Sequence, residues 1–243
     1  KVDLEIIGTP PDTHAKILIE RVKKNSSKLW LVEKPFLAPD IESCNFINDL
    51  IVQSGAKIFC GYNHSLSPAY KALSDFLVED NDITLIDSFW LEHWGGIFKA
   101  HPWLDGPYSS YLGFSNRGGG AFMEHSHGIH LALGICNLGK DVRDFSYPEI
   151  ISYNSFFDNS NSYDQSTQLV LKSKNGIIIR YTTDVLTKNT KKYIKVETSN
   201  SFYQLDFAIN NGNYDALRII SNGKETIINY PRSRKLDFDH EIR

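Results

Sequence analysis

The chain has 243 residues, 41% hydrophobic and 23% charged, with a formal net charge of −3. That length makes one large domain or two small ones, and the balance is that of a soluble globular protein. It excludes an electrostatic case for nucleic acid or an anionic membrane, and no apolar run is long enough to span a bilayer. The three cysteines, Cys44, Cys60 and Cys136, are scattered and form no CxxC, which reads as buried free thiols in a reducing cytoplasm. The chain opens on Lys1, its one methionine is Met123, and residues 236–243 look like the opening turns of a helix. It reads as a piece of a longer protein.

Residues 2–7 are strand-like. The turn Gly8-Thr9-Pro10-Pro11-Asp12-Thr13-His14 then starts a helix, with Asp12 or Thr13 as N-cap, over about residues 15–24. Leu29-Trp30-Leu31-Val32 is an unbroken apolar run, as in a parallel strand covered on both faces. Pro35 ends it, because proline has no N–H for the ladder. Glu33 and Lys34 therefore stand at the carboxyl end of a strand, the edge at which open α/β sheets bind ligands. Residues 40–54 predict an amphipathic helix and residues 57–63 a third strand. Strand and helix thus alternate with short connections, the pattern of a parallel sheet.

Ser67 caps and Pro68 opens a further helix, to about residue 78. Residues 83–94 form a long strand candidate, followed by a connection rich in Gly, Pro and aromatic residues. Gly118-Gly119-Gly120 leads into an apolar helix over about 121–138. Beyond it only strands are expected, at 145–157, 165–172, 176–184, 191–198, 202–208 and 216–220, with turns at Lys174-Asn175-Gly176, Ser199-Asn200, Asn210-Asn211-Gly212 and Ser221-Asn222-Gly223. The expected fold is α/β plus α+β: the C-terminal part of a Rossmann-like parallel domain (1–66), then a mainly antiparallel β-sheet domain with flanking helices (67–243).

The segment Glu124-His125-Ser126-His127-Gly128-Ile129-His130 decorates the apolar helix with polar groups. Glu124 and His127 share a helix face, and His130 follows on it. His125 and His127 lie roughly 200° apart around a helix, which argues against a compact three-histidine metal site. In a strand the same two would share a face and could pair on a metal, but the glycines and the apolar run favour helix. No metal is expected, and His125 and His130 read as histidines satisfying a buried helix start.

Four landmarks now stand in order: the turn at residues 8–14, Glu33-Lys34-Pro35, Gly61-Tyr62-Asn63 with Pro68, and Gly118-Gly119-Gly120-Ala121 with Glu124 and His127. In order and spacing they resemble the Gfo/Idh/MocA family of NAD(P)-dependent sugar and inositol oxidoreductases, over nearly the whole chain. The resemblance implies that Lys34 holds and helps deprotonate a substrate hydroxyl while His127 exchanges its proton. It implies Thr9, Pro10 and His14 near the cofactor ribose, Glu33 and Lys34 beside them, and Asn63 beside the nicotinamide. Substrate contacts are expected from Lys34, Trp103, Arg117, Glu124 and His127.

Three departures stand out. The family usually has Asp at Glu124 with a histidine four residues on, where this chain has Gly128, so His130 competes with His127. The arginine often found after the Tyr-Asn pair is absent, with Ser65 near its place. No GxGxxG occurs, so the pyrophosphate anchor of NAD or NADP is missing from these residues. The implied activity is hydride transfer between NAD(P) and a secondary hydroxyl of a sugar, sugar derivative or nucleotide sugar, in the cytoplasm. The alternatives are a non-catalytic sugar-binding or oligomerisation module, and a metal hydrolase using Glu124, His127 and His130. Apolar residues on both faces of the strands from 165 to 220 predict a homodimer or homotetramer through the antiparallel sheet.

Overall fold

The computed structural model describes residues 2–140, 145–233 and 239. The helix opening expected at 236–243 lies outside these except for Asp239. Three parallel strands, β1 (Val2–Ile7), β2 (Ser27–Val32) and β3 (Lys57–Cys60), form a first sheet in that order. Ile7 pairs with Val32 and Val32 with Cys60, so the chain leaves the sheet three times at one edge. Helices α1 (Pro11–Lys23) and α2 (Ile41–Ser54) cover one face, burying Leu18, Val22 and Ile47 against Ile7, Trp30 and Val32. The other face leaves Ile6 and Phe59 exposed.

Local chemistry explains these ends. Asp40 caps α2, accepting from the N–H groups of Glu42 and Ser43, and Gly55 closes it in the left-handed region. At α1 the expectation of an Asp12 or Thr13 cap fails. Pro10 is the N-cap, without a side-chain bond, and Pro11 is the first helical residue, where its missing N–H costs nothing. The third strand ends at Cys60 and not at 63, because residues 63–66 coil into a 3-10 turn.

Helix α3 (Pro68–Glu79), capped by Ser67, leads into an eight-stranded sheet. Its strands are β4 (Ile83–Leu91), β5 (Glu149–Phe157), β6 (Asp164–Lys172), β7 (Ile178–Asp184), β8 (Lys191–Thr198), β9 (Ser201–Ala208), β10 (Tyr214–Ser221) and β11 (Lys224–Pro231). Their order is β11-β10-β9-β8-β4-β7-β6-β5. The sheet is antiparallel except for β4, which pairs parallel with β7. The long helical crossover after β4 permits this, since parallel neighbours need a long connection. The strand expected over 83–94 stops at Leu91, and Trp94–Ala100 forms α4. β11 is absent from the sequence reading although its hairpin signal is there: Asn222 and Gly223 both take positive φ, the requirement of a two-residue type I′ turn.

The helix expected over 121–138 is two helices, α5 (Gly120–Glu124) and α6 (His127–Cys136), broken at His125 and Ser126. With α3 they cover one face of the large sheet, where Leu73, Leu131, Ile86, Ile179, Ile194 and Leu205 are buried together. On the opposite face Ile178 and Phe89 are half-buried, and Arg180 grips Asp87 through two bonds of 2.5 Å. Val170 lies there too, while Leu169 and Leu171 face the core. Of the cysteines only Cys136 is buried; Cys44 is exposed on α2 and Cys60 intermediate, because their elements turn those positions outward. Among the described residues no helix is long and apolar enough to cross a membrane.

Candidate active site

A cavity of about 710 Å³ opens where the carboxyl ends of β1, β2 and β3 meet α5 and β4. Thr9, Lys34 and Asn63 each follow one of the parallel strands and line one wall. Glu92, Glu124, His127 and Lys192 come from the part of the chain that follows the first sheet. The volume is that of a small-molecule site.

Lys34 is the residue that joins the two walls. Its Nζ donates to the Glu124 backbone oxygen at 2.8 Å and lies 3.1 Å from Glu124 Oε2. Both side chains are largely buried, at 17% and 15% exposure. Burial alone would raise the Glu124 carboxyl, but the Lys34 charge and hydrogen bond outweigh it and hold the group below the usual range. The result is a charged pair at a cavity wall, with ammonium protons directed by a fixed carboxylate.

Beside it is a nest of rings. His127 meets His64 edge-on at 4.6 Å and stacks near Trp90 at 5.9 Å, while His130 lies flat on Tyr62 at 4.1 Å. Burial, then the positive charges of Arg232, Lys192 and Lys34, hold His64 well below its ordinary value. Burial and the neighbouring His64 do the same to His127. Burial brings His125 and His130 down to about 4. The Nδ1 atoms of His127 and His130 and the Nε2 atom of His125 are buried without a hydrogen-bond partner. The neutral His127 ring therefore carries unspent hydrogen-bonding capacity inside the cavity wall.

The break at His125 and Ser126 sets which residue faces the cavity. Tyr181 Oη donates to the His125 oxygen at 2.7 Å and Ser88 Oγ to the Gly128 oxygen at 2.9 Å, fastening the helix start to the sheet. A Cβ at Gly128 would sit 2.7 Å from Tyr181 Cε2 and 2.9 Å from Ser88 Oγ. Position 128 thus has no room for a histidine, and the imidazole at 127 takes the cavity side. His130 is not part of the cavity lining.

Of the other residues singled out from the sequence, Thr9, Pro10, Glu33, Asn63 and Trp103 line the cavity, Trp103 at its rim with 72% exposure. His14 and Arg117 do not. His14 is buried, with Nδ1 3.0 Å from the Phe36 oxygen and Nε2 2.6 Å from the Thr9 oxygen, so it holds the cavity loop from behind. Arg117 Nε donates to Asp12 at 2.6 Å and ties the triple-glycine segment to α1.

Sequence reasoning passed over Glu92 and Lys192, which pair at 2.5 Å in the cavity. A signal existed. Lys192, Ile194 and Val196 alternate on one face of β8, and a lysine in phase with buried aliphatics marks a polar opening in the core. A smaller cavity of about 390 Å³, over β8 and β9, shares only Lys192 with the first. Among the described residues no three His, Cys, Asp or Glu side chains are grouped to hold a metal ion.

No protein-family model and no curated protein matches the sequence. Solved structures do match its shape. KijD10, a 3-ketoreductase from Actinomadura kijaniata solved with NADP and TDP-benzene, superposes with a TM-score of 0.75 at 14% identity, covering 99% of this chain and 68% of that one. UDP-N-acetylglucosamine 3-dehydrogenase GnnA from Acidithiobacillus ferrooxidans gives 0.70 at 13% identity, over 99% and 68%. A super-repressor mutant of Gal80p from Saccharomyces cerevisiae gives 0.73 at 13% identity, over 99% and 64%. With its parallel Rossmann-like sheet, its mostly antiparallel second sheet and the cavity between them, this chain has the Gfo/Idh/MocA-type fold.

Proposed function

We propose that the chain is the catalytic part of an NAD(P)-dependent oxidoreductase that transfers a hydride between the nicotinamide and a secondary hydroxyl of a sugar, sugar derivative or nucleotide sugar. The observation that carries this reading is the single cavity shared by Lys34, Glu124 and His127 at the carboxyl edge of a parallel sheet. KijD10 bound to NADP and TDP-benzene, and GnnA named for a UDP-sugar, support the substrate class at the level of fold.

Thr9, Pro10, Glu33 and Asn63 stand on one wall and fit the reactive end of a nicotinamide nucleotide. No glycine-rich GxGxxG turn occurs to hold its pyrophosphate. When bound, the cofactor supplies the hydride acceptor or donor at the substrate carbon. The chain's own residues handle the oxygen. Lys34, fixed by Glu124, donates a hydrogen bond to the hydroxyl and stabilises charge as it develops there. His127, neutral because it is buried, takes up the hydroxyl proton in oxidation and returns it in reduction. Residues 1–66 serve the cofactor and lend Lys34 to the substrate, and 67–243 serve the substrate and self-association, in the cytoplasm.

In the full-length protein, Lys34→Ala should lower turnover of nucleotide sugars by at least ~100-fold, the scale for an acid–base group. Turnover near that of the parent would refute the assignment and favour a binding module. The 243-residue chain by itself should bind NAD(P) weakly or not at all, for want of the pyrophosphate N–H groups. Micromolar binding by calorimetric titration would contradict this. The outer face of the large sheet, with Ile178 and Phe89, is proposed to pack against the same face of a second copy as a homodimer or homotetramer.

A further inference from the structure

We infer that strand β5 is a second self-association surface, pairing edge to edge with β5 of another copy. β5 closes one end of the eight-stranded sheet, and among the described residues it pairs only with β6. Alternate N–H and C=O groups along it therefore face an open edge. The strand carries bare apolar side chains on both faces, among polar ones: Ile150 is 65% exposed, Tyr153 55% and Phe156 62%, with Ile151 and Phe157 also exposed. Tyr147 just before the strand is 87% exposed. At roughly 200 Å² for a fully exposed aromatic side chain, this ribbon presents on the order of 700 Å² of apolar surface. Summed over the two faces that flank the open edge, this approaches the ~800 Å² each partner of a stable dimer buries.

The opposite edge of the sheet shows what protection looks like. β11 carries Lys224, Glu225 and Pro231, the charges and proline that block edge pairing. β5, Glu149-Ile150-Ile151-Ser152-Tyr153-Asn154-Ser155-Phe156-Phe157, has one charge at its start and no proline or lysine. Its two register irregularities lie near its ends, at Ile150/Ser152 and Phe156/Phe157, and leave the middle straight. The occupant is a second copy because the strand is complementary to itself. A two-fold axis through Tyr153 would set Ile150 beside Phe156 of the partner subunit, apolar on apolar, and bring no like charges together. That axis is perpendicular to the sheet, so the helices of both copies stay on one side. The outer faces stay on the other, free for the face-to-face contact proposed above. Two such sheets stacked by their outer faces make a closed tetramer.

The test is sedimentation of the full-length protein together with hydrogen exchange of the β5 amides. In the parent, alternate β5 amides should exchange at least ~100-fold more slowly than free-edge amides. The double variant Ile150→Lys, Phe156→Lys should keep a single cooperative urea transition, lose that protection and drop in assembly mass. Unprotected β5 edge amides in the parent at micromolar concentration would overturn the inference. So would an assembly mass unchanged by the double variant but lowered by Ile178→Glu, which would leave the outer face as the interface.

Discussion

Four imidazoles, His64, His125, His127 and His130, are held neutral by burial around the candidate site. The direction of the resulting pH dependence follows from linkage. In the unfolded chain each histidine protonates near pH 6.5, whereas in the folded protein His125 and His130 do so only at about 4. Between those values the unfolded state binds more protons, so stability falls as pH falls from about 6.5 toward 4, by up to about 1.4 kcal/mol per pH unit for each histidine. Urea midpoints measured at pH 7.5, 6, 5 and 4.5 should decline steadily below 6.5. His130→Phe, which keeps the stacking on Tyr62, should flatten that slope. A midpoint independent of pH over this range would contradict the neutral cluster. The same burial keeps His127 neutral and open to a proton at neutral pH, although it makes the ring a weaker base than a free imidazole.

At the scale of elements, the cavity depends on how tightly the triple-glycine segment meets α1. Gly118 has φ +88°, and a Cβ there would lie 2.7 Å from Pro11 Cβ. Alanine would be strained in its own backbone and would press the first turn of α1 away. Arg117 to Asp12, one bond away in sequence, pulls the same two elements together. Gly118→Ala is therefore expected to destabilise the protein by about 1–3 kcal/mol and to weaken small-molecule binding in the cavity. Thermal unfolding and ligand titration check both; an unchanged melting temperature would show that the contact yields at no cost. The second element that matters is β8, whose inner face alternates Lys192 at the cavity with Ile194 and Val196 in the core. Ile194→Ala should cost about 2–5 kcal/mol, the range for a buried aliphatic truncation, measured by chemical denaturation.

For the molecule as a whole, the two faces of the large sheet have different tasks. Helices α3, α5 and α6 cover one face and seal Leu73, Leu131 and Ile179 inside. The other carries half-buried Ile178 and Phe89 among charged residues such as Asp87 and Arg180. Ile178→Glu is expected to lower assembly mass in sedimentation without unfolding the chain, since the site faces outward. Ile179, one residue on and fully buried, should instead lose folding when replaced by Glu. An unaltered mass with Ile178→Glu would remove the outer face as an interface.

The alternation of strand and helix through Cys60, the strand end at Glu33-Lys34-Pro35 and the caps at Asp40 and Ser67 could be read from the chain alone. Each depends on neighbours in sequence: a missing N–H, a capping oxygen, a period of apolar residues. Lys34, Glu124 and His127, which the sequence brought forward, lie in one cavity, where Lys34 pairs with Glu124. Tertiary contacts decided the rest. The helix breaks at His125 and Ser126, Tyr181 and Ser88 fasten its restart to the sheet, and His127, not position 128 or 130, lines the cavity. The antiparallel pairing of β4 with β8 put Glu92 next to Lys192, which is one hundred residues distant. His14 and Arg117 became fastenings and not cavity walls because Thr9, Phe36 and Asp12 lay within reach of them. Such choices are made by groups far apart in the chain, and local propensity carries no information about which of them will meet.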